Sequence, residues 1–137
     1  MAKKIESWRG LPEDKLKEMS IDDFSKLIKS RSRRSLTRTT KDNNNEPYRK
    51  LIERIRKLKT KGAISKPIKT HIRDGVILPE WLGLQFQVHN GKEWTQFEIT
   101  LEKLGKRLGD FSHTTKMVKH SGAGVGATRG SKFVPLK

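Results

Sequence analysis

Between Leu84 and Ile99 two short segments alternate apolar and polar residues around a glycine-bearing link, and this pattern constrains the fold more than any other stretch. Leu84, Phe86 and Val88 alternate with Gln85, Gln87 and His89, and Thr95, Phe97 and Ile99 alternate with Gln96 and Glu98. Such period-two alternation gives each segment one apolar face, the mark of a half-buried strand. Asn90-Gly91 offers the two positive φ angles of a type I′ turn, which predicts a β-hairpin. A hairpin with one apolar face needs further cover, from a third strand or a helix.

The flanking sequence offers both. Ile68, Thr70 and Ile72 alternate with Lys69, His71 and Arg73 after Pro67, which predicts a third strand with Lys66, Lys69, His71 and Arg73 along its outer face or edge. Leu11-Pro12-Glu13-Asp14 opens a short helix, with acids in its first turn. Ser20 and Asp23 form a variant capping box ahead of a second helix from about 21 to 31, apolar at Ile21, Phe24, Leu27 and Ile28. Pro47 starts a longer helix whose apolar stripe is Tyr48, Leu51, Ile52, Ile55 and Leu58 and whose stop is Gly62. Val76-Ile77-Leu78 is a short apolar run, Pro79 to Gly83 reads as one helical turn, and Thr100 caps the turn LEKL ended by Gly105. Leu108 and Phe111 should fold back on the apolar face. The expected fold is α+β, a small three-stranded sheet centred on the hairpin with N-terminal helices and a basic extended C-terminal tail. Its parts are an N-terminal helical basic extension at 1–65, a core at 66–112 and a glycine-rich tail at 113–137.

Charge supplies the functional signal. Of 137 residues, 32% are hydrophobic and 34% charged, with a net charge of +16, so the core is small and the surface repels itself unless a polyanion neutralises it. The surplus is concentrated: residues 31–69 hold fourteen bases and three acids, residues 70–111 five and six, and residues 112–137 five and none. A near-neutral body with cationic extensions points to nucleic acid, with an anionic membrane surface as the alternative. There is no long apolar run and no apolar signal region behind MAKKIESWRG, so a cytoplasmic protein is expected.

The candidate binding groups follow the charge. Arg31, Arg33, Arg34 and Arg38 lie in RSRRSLTRTTK, which shows no apolar periodicity and reads either as a solvated helix end entering a disordered linker or as a binding arm. Arg54 and Lys57 stand on a helix face that also carries Arg49, Lys50, Arg56 and Lys59 against the single acid Glu53, a sign bias that a merely soluble face does not need. His89, Asn90 and Lys92 cluster at the hairpin tip, and Lys106 and Arg107 follow Gly105. Lys116, Lys119 and His120 begin the tail and Arg129, Lys132 and Lys137 extend it, with Gly122, Gly124 and Gly126 allowing close backbone approach to RNA. Trp94 is out of phase with the apolar face and is a candidate protein or RNA contact.

Other chemistries have weak support. Without cysteine there are no disulfides or thiolate sites, and His113 and His120 have no nearby carboxylate to complete a zinc site. Gly122-Ala123-Gly124-Val125-Gly126-Ala127 fits the dinucleotide-binding pattern formally but has neither the preceding strand nor the following helix. No carboxylate pair is set across a cleft, so no enzyme and no cofactor are expected.

The order KPIKT, ILPEWLGL, VHNGK and ITLEKLGKRLGDF, followed by Thr114-Thr115, closely resembles the universal small-subunit ribosomal protein S-nineteen family. The match runs from about Lys66 to His120, through Lys66, Pro67, Lys69, Thr70, Pro79, Glu80, Gly83, His89 to Lys92, Gly105, Leu108, Gly109 and Phe111. WRGLPEDKLKEMS, RSRRSLTR, GVGAT and the terminal FVPLK resemble its archaeal and eukaryotic branch, where the eukaryotic member is called S-fifteen. Bacterial relatives differ by a basic pair where this chain has Ile72-Arg73-Asp74 and by a histidine at Lys106. The resemblance implies a structural constituent of the small-subunit head that binds ribosomal RNA, supports translation and assembly and contacts the S-thirteen family head protein. It also implies a tail directed toward the decoding region and its tRNA. Composition alone equally permits a free DNA- or chromatin-associated basic protein.

Overall fold

The computed structural model describes residues 7–116 except 43, 63 and 65. The fold is α+β, with two small sheets and four α-helices among the described residues. Strands β1 (Ser7–Trp8) and β2 (Leu11–Pro12) pair antiparallel about Arg9 and Gly10, both at positive φ, 53° and 81°. This two-residue connection has the sign pattern expected for the main hairpin, in a place where no alternation announced it.

Helix α1 (Glu13–Glu18) buries Leu16, and α2 (Ile21–Leu27) buries Phe24. The Ser20 hydroxyl accepts from Asp23 N at 3.1 Å and donates to the Asp23 carboxylate at 2.8 Å, so the expected cap forms. The second helix stops earlier than expected: Ile28 is extended, and a separate helix α3 (Ser30–Thr40) follows. The stretch read as a linker or arm is therefore helical. Its buried stripe is Ser32, Leu36 and Thr39, at i, i+4 and i+7, which hydropathy does not register because two of the three are hydroxyl residues. The Thr39 hydroxyl is satisfied by donating to Ser35 O at 2.9 Å. Helix α4 (Glu46–Thr60) follows expectation, with Pro47 in its first turn, the Asn45 side chain accepting from Tyr48 N at 3.4 Å, and Tyr48, Leu51, Ile52 and Ile55 buried.

Strands β3 (Ile68–Thr70), β4 (Gln85–His89) and β5 (Trp94–Glu98) form the main sheet in that spatial order, β3 parallel to β4 and β4 antiparallel to β5. The third strand lies at the sheet edge and is shorter than its alternation suggested: the Thr70 hydroxyl accepts from Ile72 N at 3.1 Å, turning the chain away. The β4–β5 link also differs from expectation. Four residues, 90–93, connect His89 to its partner Trp94, and of Asn90 and Gly91 only Gly91 has positive φ, 105°. Asn90 Oδ1 accepts from Lys92 N at 2.9 Å and Glu93 N at 2.7 Å, and this local Asx turn replaces the I′ geometry.

Helices and sheet share one core. Trp81, in the 3-10 turn Pro79–Trp81, meets Tyr48 edge-on at 6.3 Å and Phe86 at 5.2 Å, joining α4 to the sheet. Val76, Ile77 and Leu78 are completely buried. They run beside residues 105–109 through Ile77 N to Lys106 O at 2.9 Å, Gly105 N to Ile77 O at 3.1 Å and Leu108 N to Gly75 O at 3.0 Å. Leu108 is buried and Phe111 packs on Phe97 at 5.3 Å, as expected. Thr100 does precede a 3-10 turn, Leu101–Lys103, though its side chain makes no capping bond.

Candidate nucleic-acid interface

Helix α3 sorts its four arginines by face. Residues 31, 34 and 38 follow i, i+3, i+7 spacing and share one exposed stripe, while Arg33 points elsewhere. The buried stripe decides what that row faces: the Ser32 hydroxyl donates to Gly105 O at 3.3 Å, seating α3 against the segment that carries Arg107. Arg31, Arg34, Arg38 and Arg107 then line one cleft of about 660 Å³, completed by Ser30, Ser35, Asn44 and Asn45. No acid lines it. Four guanidinium groups around a cleft without a carboxylate repel one another and are relieved by an anion with several oxygens, and planar guanidinium suits phosphate geometry. Asn44 and Asn45 are neutral lining residues that charge counting overlooks, and the Asn45 amide is engaged at both ends, by Tyr48 N and by Asp74.

Arg33 is occupied within the protein. It donates to Ser25 O at 3.0 Å, Lys26 O at 3.2 Å and Ile28 O at 3.3 Å, satisfying carbonyls at the end of α2. Arg73 is similarly engaged. Its guanidinium donates to His89 O at 2.9 Å, Ser112 Oγ at 3.2 Å and Gly109 O at 3.2 Å, and also to Ser112 O. The two backbones also meet, Gly109 N donating to Arg73 O at 2.8 Å, and glycine is needed there because a Cβ would lie 2.9 Å from that oxygen.

On α4 the charge surplus is smaller than the helix sequence implied. Arg56 makes a two-pronged pair with Glu80, at 3.0 and 2.6 Å, and Lys59 donates to Glu80 O. That pair raises the Arg56 pKa, by the hydrogen bond to Glu80 first. Lys50 pairs with Glu46 at 2.6 Å, and Arg49 with Glu53 at 3.6 Å. Lys57 is exposed, while Arg54 joins Lys61 and Lys66 in a groove of about 350 Å³. Lys61 was not among the expected groups, because only tertiary folding brings the end of α4 beside residue 66.

At the hairpin, His71, His89 and Trp94 form a cluster of rings 4.8 to 5.0 Å apart, and Lys69 Nζ stands 5.7 Å from the indole centroid. Asn90 spends its side-chain oxygen on the turn, and Lys92 is exposed beside it. Lys106 Nζ lies 5.8 Å from the Phe111 ring, and Arg107 N donates to Asp110 Oδ2 at 2.9 Å while its side chain lines the cleft. Lys116 is exposed. Lys119, His120, Arg129, Lys132 and Lys137 lie outside the described residues. Among the described residues no helix is long and apolar enough to cross a membrane.

A small α+β body that gathers four arginines around one cleft, with positive charge concentrated outside its sheet, defines the class as a small basic α+β protein. Residues 34–120 match the family model described as "Ribosomal protein S19". The chain is 46% identical over 130 residues to "Small ribosomal subunit protein uS19" of Saccharolobus solfataricus, covering 95% of this chain and 90% of that one. It is 42% identical over 131 residues to the protein of the same name from Halobacterium salinarum, covering 96% and 91%. The chain belongs to the ribosomal protein S19 family, whose members are structural ribosomal components and not enzymes.

Proposed function

We propose that this protein is a structural constituent of the small ribosomal subunit that binds the ribosomal RNA of the subunit head through the α3 cleft. The observation that carries this reading is the convergence of Arg31, Arg34, Arg38 and Arg107 on a cleft with no acid in its lining among the described residues. Its relatives, which it matches over nearly their whole length, are named small-ribosomal-subunit proteins. Folded RNA is read largely through phosphates, 2′-hydroxyls and shape, so a row of arginines on a rigid helix fits it without base-specific groups. Lys57, the Arg54–Lys66 groove, Lys92, Lys106 and Lys116 add weaker, distributed phosphate contacts. The body contacts the S-thirteen family head protein, and the tail with Lys119, His120, Arg129, Lys132 and Lys137 reaches toward the decoding region and its tRNA, in the cytoplasm.

The test is a salt titration of binding to a head-domain fragment of small-subunit ribosomal RNA, with duplex DNA of equal length as competitor. Replacing Arg31, Arg34, Arg38 and Arg107 by Gln should lower the log-log salt slope by about 0.7 to 0.9 for each phosphate that is no longer neutralised. An unchanged slope, or equal competition by DNA, overturns the assignment. For the tail, deleting residues 122–137 should leave subunit incorporation intact and alter tRNA selection, whereas failed incorporation would give the tail an architectural role.

A further inference from the structure

We propose that the outer face of the main sheet is a second RNA site, separate from the arginine cleft, where an unpaired nucleobase stacks on Trp94 beside His71 and His89. The proposal rests on RNA being the partner, as argued above, and adds a different contact chemistry.

Among the described residues Trp94 is the one large hydrophobic side chain left exposed, at 39%. It sits directly opposite His89 in the β4–β5 register, on the sheet face away from the core. His71, just past the end of β3, completes the group: the His71–Trp94 and His89–Trp94 centroids are 4.8 and 5.0 Å apart, at 65° and 70° between ring planes. Both imidazoles thus meet the indole nearly edge to face and brace it, and neither lies flat against it. The protein supplies no parallel stacking partner within this cluster. An unpaired base is such a partner, and tryptophan, tyrosine and histidine rings are the usual platforms for bases splayed out of RNA.

The surroundings favour a nucleotide over an apolar protein anchor. Lys69 Nζ, 5.7 Å from the indole centroid, is a flexible cation that an entering base displaces toward its own phosphate. His89 is oriented by its turn, since its Nδ1 accepts from Gly91 N at 3.0 Å, a bond that assigns the donor role on this ring to Nε2. Next to the rings runs an amide ladder, Gln87 Nε2 to Gln96 Oε1 at 2.9 Å and Gln96 Nε2 to Gln85 Oε1 at 2.8 Å. This flat, uncharged strip of donors and acceptors can meet base edges. The nearby acids, Glu93 and Glu98, occupy the loop and the far end of β5 and do not belong to the ring cluster.

The full chain is titrated with an unpaired ten-nucleotide oligouridylate and, separately, with a blunt-ended RNA duplex, reading anisotropy and tryptophan quenching. Trp94→Ala should weaken oligouridylate binding about tenfold and leave duplex binding within about twofold, because only the single strand has unpaired bases to splay onto the indole. Trp94→Phe keeps a ring and should restore most of the loss, with far-ultraviolet circular dichroism showing both variants folded. Equal loss on both probes, or no loss on the oligouridylate, overturns the platform. So does a Trp94→Ala chain that keeps both RNA affinities and loses a protein neighbour in assembled subunits. If the unaltered chain binds neither RNA, the reading of its partner falls first. If it binds both without dependence on Trp94, only this site falls.

Discussion

The Arg73 guanidinium donates to the His89 carbonyl at 2.9 Å, fastening the chain beyond β3 to the base of the hairpin tip. The same group reaches Gly109 and Ser112, so one side chain ties three segments far apart in sequence. Hydrogen bonds from a charged donor stabilise by about 1.5 to 3 kcal/mol, and acceptors left without a donor add to the loss. Arg73→Ala should therefore destabilise the fold by about 3 kcal/mol in urea unfolding. Lysine should recover little, because a point ammonium cannot span four acceptors. A fully stable Arg73→Ala protein with weakened RNA binding would instead make Arg73 an RNA ligand.

Arg33 and its neighbours on α3 should separate cleanly. Arg33→Gln removes three donated bonds to carbonyls at the end of α2 and should cost about 1 kcal/mol of stability, with no change in the salt slope of RNA binding. The triple change of Arg31, Arg34 and Arg38 to Gln should do the reverse, lowering the slope while thermal unfolding stays in place. Calorimetry and a salt series on the same preparations check both halves.

Leu36 tests whether α3 is part of the core. It is only 1% exposed, so Leu36→Ala should cost about 3 kcal/mol. Were the segment a solvated arm, the change would be thermally silent.

Tyr48 makes stability depend on pH at the alkaline end. Burial pushes its phenol far above the ordinary value of 10.0, while the hydroxyl donates to Val76 O at 2.6 Å. The folded state keeps the proton that the unfolded state releases, so this contribution is complete below pH 10 and declines as pH rises, by about 1.4 kcal/mol per pH unit. Tyr48→Phe should lose about 1 to 3 kcal/mol at neutral pH, because the buried Val76 carbonyl loses its donor. It should also be less sensitive to pH between 10 and 11. Urea unfolding of both proteins at pH 7, 10 and 11 measures the difference, and parallel declines would show that Tyr48 is not the titrating group.

Where burial followed hydropathy, the sequence was legible. The stripe Tyr48, Leu51, Ile52 and Ile55 marked α4, Phe86 and Val88 marked the core side of β4, and Ser20 with Asp23 marked the start of α2. Helix α3 was not legible because Ser32 and Thr39 bury small polar side chains whose hydroxyls find carbonyls. The hairpin link was misread for a related reason: Asn90 satisfies two amide donors itself, which favours a longer turn over the one that Asn-Gly alone suggests.

The binding surface divides in the same way. Sign and abundance of charge belong to composition, and the expectation of a polyanionic partner rests on the +16 surplus and its concentration in residues 31–69. Which cations are left free of internal partners depends on how the chain folds. Ser32 against Gly105 brings Arg107 to the α3 row, Glu80 takes up Arg56, and the carbonyls of residues 89, 109 and 112 take up Arg73. A local pattern determines which face of a helix or strand is apolar, because burial follows periodicity. Only tertiary structure decides whether a given arginine meets solvent, a carboxylate or a carbonyl, because those partners come from other parts of the chain.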